Sequence, residues 1–362
     1  MKQTSRIIST YSADTFGVCS ALFELGGMVV MHDASGCNST YTTHDEPRWF
    51  DMDSMVYISA LTEMEAIMGD DEKLISDIVS AAEELKPKFI AIVGTPIPTM
   101  VGFDFDAVAN LIEDRTGIPT FGFPTTGMNS YVHGVSMALE ILARHFVVDT
   151  HQKTQKPSMN ILGLTPLDFS VNGQAEAIIR WAQDQGYEVL SSWAMGCNLE
   201  EIARAGEAHV NLVVSAGGLK AAKLLEKRFG TPYMVGVPMD GNSEKSDLPG
   251  DELVVVGEGV YSLSLAWALE RKLNRGVRVV CTTECEENIL RSKDQMLRDE
   301  VEIEKALQTA KMIIADPLYR PICPETARFV PLPQEAFSGR IYRRQIPNLV
   351  ADFENFAKEL II

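Results

Sequence analysis

Basic residues are scarce in this chain: 32 Lys and Arg stand against 50 Asp and Glu, for a net charge of −18. That shortage argues against nucleic acid or an anionic membrane as a main partner. No apolar run approaches the length of a membrane span. The opening "MKQTSRIISTYS" lacks an apolar stretch of signal-peptide type, so a cytoplasmic location is expected. There is no G-x-x-x-x-G-K-[ST], and no G-x-G-x-x-G follows a strand, so the chain itself is expected neither to hydrolyse ATP nor to bind a dinucleotide. The G-x-S-x-G elbow and H-E-x-x-H are missing as well. There are six cysteines and no C-x-x-C. In a reducing compartment each is a small buried residue, a ligand or a reactive thiol, and not half of a structural disulfide. "CTTEC" (Cys281, Cys285) has a weak metal spacing and reads as a strand end followed by a helix start, and Cys323 earns no functional reading.

What is present is alternation. With 362 residues, 46% hydrophobic and 23% charged, the chain is long enough for two or three domains of ordinary globular composition. Short β-branched runs, turns and amphipathic helices follow one another from "GMVVM" onward. "DDEKLISDIVSAAEELKP" is a predicted helix with acids in its first turn and Pro87 at its end, and "KFIAIV" a buried strand. This pattern predicts an α/β fold of several Rossmann-like, doubly wound parallel sheets. The expected domains are 1–150, 157–275 and a shortened third unit at 276–362, with "VVDTHQKTQKPSM" as the first linker. The third unit is read as strand "VRVVC", helical stretch "ENILRSKDQMLRDEVEIEKALQTA" and a last strand "KMIIADP", followed by a C-terminal helix.

In such sheets ligands bind beyond the carboxyl ends of the strands. Gly36-Cys37, "GTPIPTMVG", Gly196-Cys197 and "SAGG" all fall there. The residues around the first of these resemble a known family. "FGVCSALFELGGMVVMHDASGC", with His32, Gly36 and Cys37, is similar to the N-terminal stretch of nitrogenase component 1 subunits and their tetrapyrrole-reducing and cofactor-scaffold relatives. "SALTEMEAIMGDDEKLISDI" matches the next block through Thr62, Glu63, Ile67, Gly69, Lys73 and Leu74, and "KFIAIVGTPIPTMVGFDFDAVA" the one after.

The resemblance implies an iron–sulfur cluster, of four-iron type, held by cysteines at a subunit interface. Cys37 matches the middle ligand. The first ligand position falls near Ala13-Asp14, so Cys19 or Asp14 is the expected substitute, and the third falls on Pro96, which has no ligating side chain. A homodimer, or a heterodimer with a second component 1-like chain, would complete the set. Electrons are expected from an ATP-hydrolysing iron-protein partner, and the substrate is a tetrapyrrole or another small molecule. Cys197 and Glu63 are candidates for cofactor contact. "TTHDEPRWF" departs from the family pattern. There His44 is a candidate proton donor, Asp45 or Glu46 sets its tautomer, and Arg48 completes the polar group; the alternative is a salt-bridged loop that shapes the interface. A maturation scaffold without turnover and a cluster-free α/β binding protein are the alternative functions.

Overall fold

The computed structural model of the chain describes residues 6–8, 10–34, 36, 38, 41, 45–150, 152–241 and 244–361. Within them the strands form three parallel sheets. The first holds β1 (Met28–Met31), β2 (Met55–Ile58), β3 (Ile90–Val93) and β4 (Thr120–Phe123) in the order β2-β1-β3-β4. The second holds β5 (Ser158–Leu162), β6 (Glu188–Trp193), β7 (Val210–Val213) and β8 (Tyr233–Val235) in the order β6-β5-β7-β8. The third holds β9 (Leu253–Gly257), β10 (Val277–Cys281), β11 (Gln295–Met296), β12 (Met312–Ala315) and β13 (Arg328–Pro331) in the order β11-β10-β9-β12-β13. The central strands β1, β3, β5, β9 and β10 are buried at every position, and β1, β3 and β9 read accordingly as unbroken apolar runs.

Helices cover both faces of these sheets. Glu72–Leu85 buries Leu74, Ile75, Ile78 and Ala82, one stripe at helical spacing, and stops where Lys86 turns left-handed ahead of Pro87. Asp14–Leu22 crosses Tyr131–His145 backbone to backbone. A Cβ at Gly17 would lie 2.0 Å from the Tyr131 carbonyl oxygen, and one at Gly134 would lie 1.8 Å from that of Asp14. Only glycine at both positions permits the crossing, and it seats the N-terminal helix between the sheets.

The third unit differs from the sequence expectation in three ways. Its central strand is β9, so the sheet opens at Leu253, upstream of residue 276. "LVVVG" escapes sequence reading as a strand, since a five-residue apolar run just before a long apolar helix carries no period of its own. The stretch read as one long helix yields the edge strand β11 and only a short helix, Glu300–Leu307. Asp294, fixed by Arg291 and by the Val279 amide, anchors the intervening chain against β10 instead. A further strand, β13, follows "KMIIADP". The C-terminal helix Leu349–Ile361 returns to the second sheet and packs Phe353 and Ala357 into the core shared with Ile178 and Ala182.

Each strand order reverses once, between β1 and β3, between β5 and β7, and between β9 and β12. The crevice beyond such a reversal is where open α/β sheets bind ligands. Here the three crevices hold buried polar side chains: Asp33 and Thr95 in the first, Asp168 and Ser215 in the second, Glu258 and Asp316 in the third.

Candidate functional site at the edge of the first sheet

β1 runs out through His32 and Asp33 toward the Gly-Cys turn. Asp33 accepts from Thr95 Oγ1 (3.0 Å) and Asn38 Nδ2 (2.7 Å), and its backbone N–H donates to Ser59 Oγ (3.1 Å). Through its carboxylate and its backbone N–H, Asp33 ties the ends of β1, β2 and β3 together at the reversal. The His32 ring packs on Phe103, with centroids 4.4 Å apart, and its Nδ1 lies 2.9 Å from Ser59 Oγ. Burial pushes its pKa down to about 4, so it is neutral at physiological pH. Sequence reasoning misses Asp33, Ser59 and Thr95; a strand-end Asp inside "MHDASGC" is the available signal. Cys37 and His44 lie outside the described residues.

Two short helices rise beside this edge. Glu63–Met68 opens on a capping box between Thr62 and Glu65, a signature that the sequence carries as T-x-x-E. Glu63 itself is exposed in the first turn. Pro96–Val101 follows β3 with Pro96 in its first turn. Together they present Met64, Ile67, Met68 and Met100 at 69–85% exposure, an unusual density of large apolar side chains on open surface.

The segment from Asp45 to Arg48, which follows the Gly-Cys turn, is a clasp. Arg48 is buried, and all five of its N–H donors are used: Nε to Glu46 (2.6 Å), Nη1 to Glu24 (2.9 Å) and to the Ala194 carbonyl (3.2 Å), Nη2 to Ser20 O (2.8 Å) and Oγ (3.3 Å). Its guanidinium also covers the Phe23 ring at 4.7 Å. The other Glu46 oxygen accepts from Tyr41, and the second Glu24 oxygen accepts from the Gly196 amide at 2.7 Å. Asp45 offers its carbonyl to Arg343 at 2.6 Å, and Arg343 is paired with Glu335. One short loop is thus bonded to the N-terminal helix, to the β6 exit loop of the second sheet and to the C-terminal part of the third unit. Arg48 has no N–H left over for a substrate.

The remaining expected site residues are placed as follows. Cys19 is fully buried in the core beneath Glu46, and burial together with that carboxylate pushes its thiol far up. Asp14 opens the N-terminal helix. One oxygen accepts from the Thr15 (2.9 Å) and Gly127 (2.7 Å) amides, the other from the Thr126 amide (3.1 Å) and Asn129 Nδ2 (3.0 Å). Cys197 is buried beside Glu24 and Arg48 at the rim of the clasp, its thiol likewise raised by burial. The structure therefore brings Cys19, Cys197, Glu46 and Arg48 to one neighbourhood, while Asp14 and Glu63 lie apart with other tasks.

A second polar group, unread in the sequence, sits where the three units meet. The Tyr131 hydroxyl, from the first domain, donates to Asp168. Glu258 accepts from the amides of Ala216 (2.9 Å), Val260 (3.1 Å) and Tyr261 (2.7 Å). Burial and the Glu258 carboxylate raise the Asp168 pKa well above the usual range, and burial raises that of Glu258 as well, against the lowering effect of its three amide donors.

Comparison with known proteins decides the family. A model described as nitrogenase component 1 type oxidoreductase matches residues 14–315. The chain belongs to that family. It is 29% identical over 222 residues to the nitrogenase iron-molybdenum cofactor biosynthesis protein NifE of Clostridium pasteurianum, covering 59% of this chain and 48% of that one. It is 27% identical over 184 residues to a light-independent protochlorophyllide reductase component of Nostoc punctiforme, covering 47% and 35% respectively. The matched stretch thus spans half or less of these relatives' length. A solved structure titled "Nitrogenase Cp1 at pH 6.5" superposes over 100% of this chain and 95% of its own with a TM-score of 0.68 at 15% identity, which establishes a shared fold.

The iron–sulfur cluster that the family implies finds no donor set among the described residues. No group of three or more His, Cys, Asp and Glu there is placed to hold a metal. Cys19 is sealed in the core, the Asp14 oxygens are taken, and Pro96 cannot ligate. Cys37, outside the described residues, is the family position left with a thiol.

Two outcomes follow from this geometry. Arg48→Met strands the buried Glu46 carboxylate and should cost about 3–5 kcal/mol in denaturant unfolding, with part of the loss restored by adding Glu46→Gln. Because His32 drops from 6.5 unfolded to about 4 folded, its contribution is present above pH 6.5 and is lost as the pH falls through that window. His32→Gln should flatten the stability loss between pH 6.5 and 4, measured by unfolding midpoints.

Proposed function

We propose that this chain is the electron-accepting, substrate-handling subunit of a nitrogenase-like reductase assembly, in which a second component 1-like chain completes the donor set around Cys37. An ATP-dependent iron-protein-like partner supplies the electrons, and the substrate is a tetrapyrrole or a smaller molecule. The observation that carries this reading is the apolar face of Glu63–Met68 and Pro96–Val101. It stands directly beside the β1 exit that leads to Cys37, and solvent-facing methionine and isoleucine at this density suit a surface that a partner covers. The thiolate count supports the same conclusion, since one chain supplies too few donors for a four-iron cluster.

Within this reading the chain's own residues position and do not react. Asp33 and Thr95 fix the strand ends from which the cluster turn departs, Arg48 holds the following loop against the first and second units, and Asp45 ties it to Arg343 of the third. Cys19, Cys197 and Asp14 serve packing and loop anchoring. Asp45 and Glu63 have no proposed chemical step, and His44 lies outside the described residues.

A second reading, a maturation scaffold that holds a cofactor precursor without turnover, is favoured by the NifE match, which covers more of the chain than the protochlorophyllide reductase match does. Iron and sulfide analysis of anaerobically isolated protein, together with its partner chain, tests both against a cluster-free protein. Wild type should carry iron, Cys37→Ala should lose most of it, and Cys19→Ser should keep it. Iron-free wild type, or full iron in Cys37→Ala, overturns the cluster reading. Turnover with a strong reductant and the iron-protein partner then separates the reductase from the scaffold.

A further inference from the structure

Cys281 ends β10 and is fully buried, while Cys285, four residues on, is half-buried. Residues 282–285 between and after them belong to no helix or strand. Both sulfurs face Gly259 in the first turn of the next-door helix Gly259–Leu273. A Cβ there would lie 2.7 Å from Cys285 Sγ and 3.3 Å from Cys281 Sγ, so the two sulfurs border one small space that only glycine leaves open. Cys281 Sγ donates to the Thr283 carbonyl at 3.4 Å. Cys285 lines a cavity of about 150 Å³ whose other walls are His133 from the first domain and Ala216 and Lys220 from the second. Cys285 is thus reachable from a crevice where the three units meet, and Cys281 lies directly behind it.

We propose that Cys281 and Cys285 form a reversible thiol–disulfide pair at the three-unit junction, with Cys285 the entry thiol and Cys281 the resolving one. The co-reactant is a small-molecule disulfide. Cys285, as thiolate, attacks one sulfur of that disulfide, forms a mixed disulfide and releases one small thiol. Cys281 then attacks the Cys285 sulfur, forms the Cys281–Cys285 bond and expels the second small thiol. The two protein thiol protons end on the two released thiols. The protein loses two electrons and two protons, and the small disulfide gains both. Closure needs the two Cβ atoms within bonding range, and both sulfurs already border the space beside Gly259 with only loop residues between them.

The consequence reaches beyond the pair. Glu284, inside the loop, accepts from Ser130 at the start of Tyr131–His145 and pairs with Arg298, and Glu286 pairs with Lys223 of the second unit. Closing the disulfide draws on the same loop, so the oxidation state is read by contacts that hold the first and second units to the third.

The test uses the full chain, native, with glutathione disulfide as the probe and near-ultraviolet circular dichroism as the check on folding. After digestion at Arg278 and Arg291, the single peptide that contains both cysteines should be lighter by two hydrogens, and the chain should show two fewer titratable thiols. Dithiothreitol should restore both. Cys281→Ser should stop at a stable glutathione adduct on Cys285, and Cys285→Ser should show neither adduct nor closure. The neighbouring Cys281 thiol and burial push the Cys285 pKa up, so the rate should rise about tenfold per pH unit from neutral pH upward. The proposal is overturned if folded wild type keeps both thiols, if the Cys285 adduct persists in wild type without closing, or if closure occurs only after the protein has unfolded.

Discussion

The buried guanidinium of Arg48 is the constraint on which the site depends. Its five donors reach Glu46 on its own loop, Ser20 and Glu24 on and just beyond the N-terminal helix, and the Ala194 carbonyl at the exit of β6. A buried cation of this kind contributes little net stability compared with apolar packing, because desolvation offsets most of the Coulomb gain. What it contributes is geometry. With two carboxylates and two backbone segments satisfied by one planar group, the loop after the Gly-Cys turn has one position relative to the first and second sheets. Asp45 and Arg343 extend the same fixing to the third unit.

That geometry explains how a family fold persists with a thinned donor set. At the junction of the units Tyr131 donates to Asp168 and Glu258 accepts from the Ala216 amide, so the second unit is tied by hydrogen bonds to the first and to the third. At the first sheet the reversal is closed by Asp33 and Thr95 and bordered by exposed apolar helices instead. The chain shares its fold with solved nitrogenase structures and belongs to the component 1 family.

Much of the fold was legible in the sequence because its strands are short, buried and separated by helices with clear ends. Pro87 and Gly117 mark their helix ends as the sequence suggests. β9 was illegible because "LVVVG" precedes a helix that is apolar all round, leaving no change of period to read. The site was legible only in part. Cys197 and Arg48 are where the cysteine and charge pattern drew attention, yet the sequence does not show that Arg48 spends every donor internally. Cys19 lies on an apolar helix, "VCSALFEL", which left a ligand and a core residue equally open in the sequence, and the structure places it in the core. "CTTEC" illustrates the reverse. Its spacing is weak evidence by itself, and its meaning lies in Gly259, a residue twenty-two positions upstream of Cys281 that leaves both sulfurs room.

The central claim is that one chain is not a complete site. It is tested most directly by measuring solution mass and iron content on the same anaerobic sample, for wild type and for Ile67→Asp/Met100→Asp, whose substitutions lie on the exposed face and touch no core. The account predicts that iron travels with an assembly of two or more chains, and that the double variant falls to a single chain with little iron. A single wild-type chain that carries a full complement of iron contradicts it.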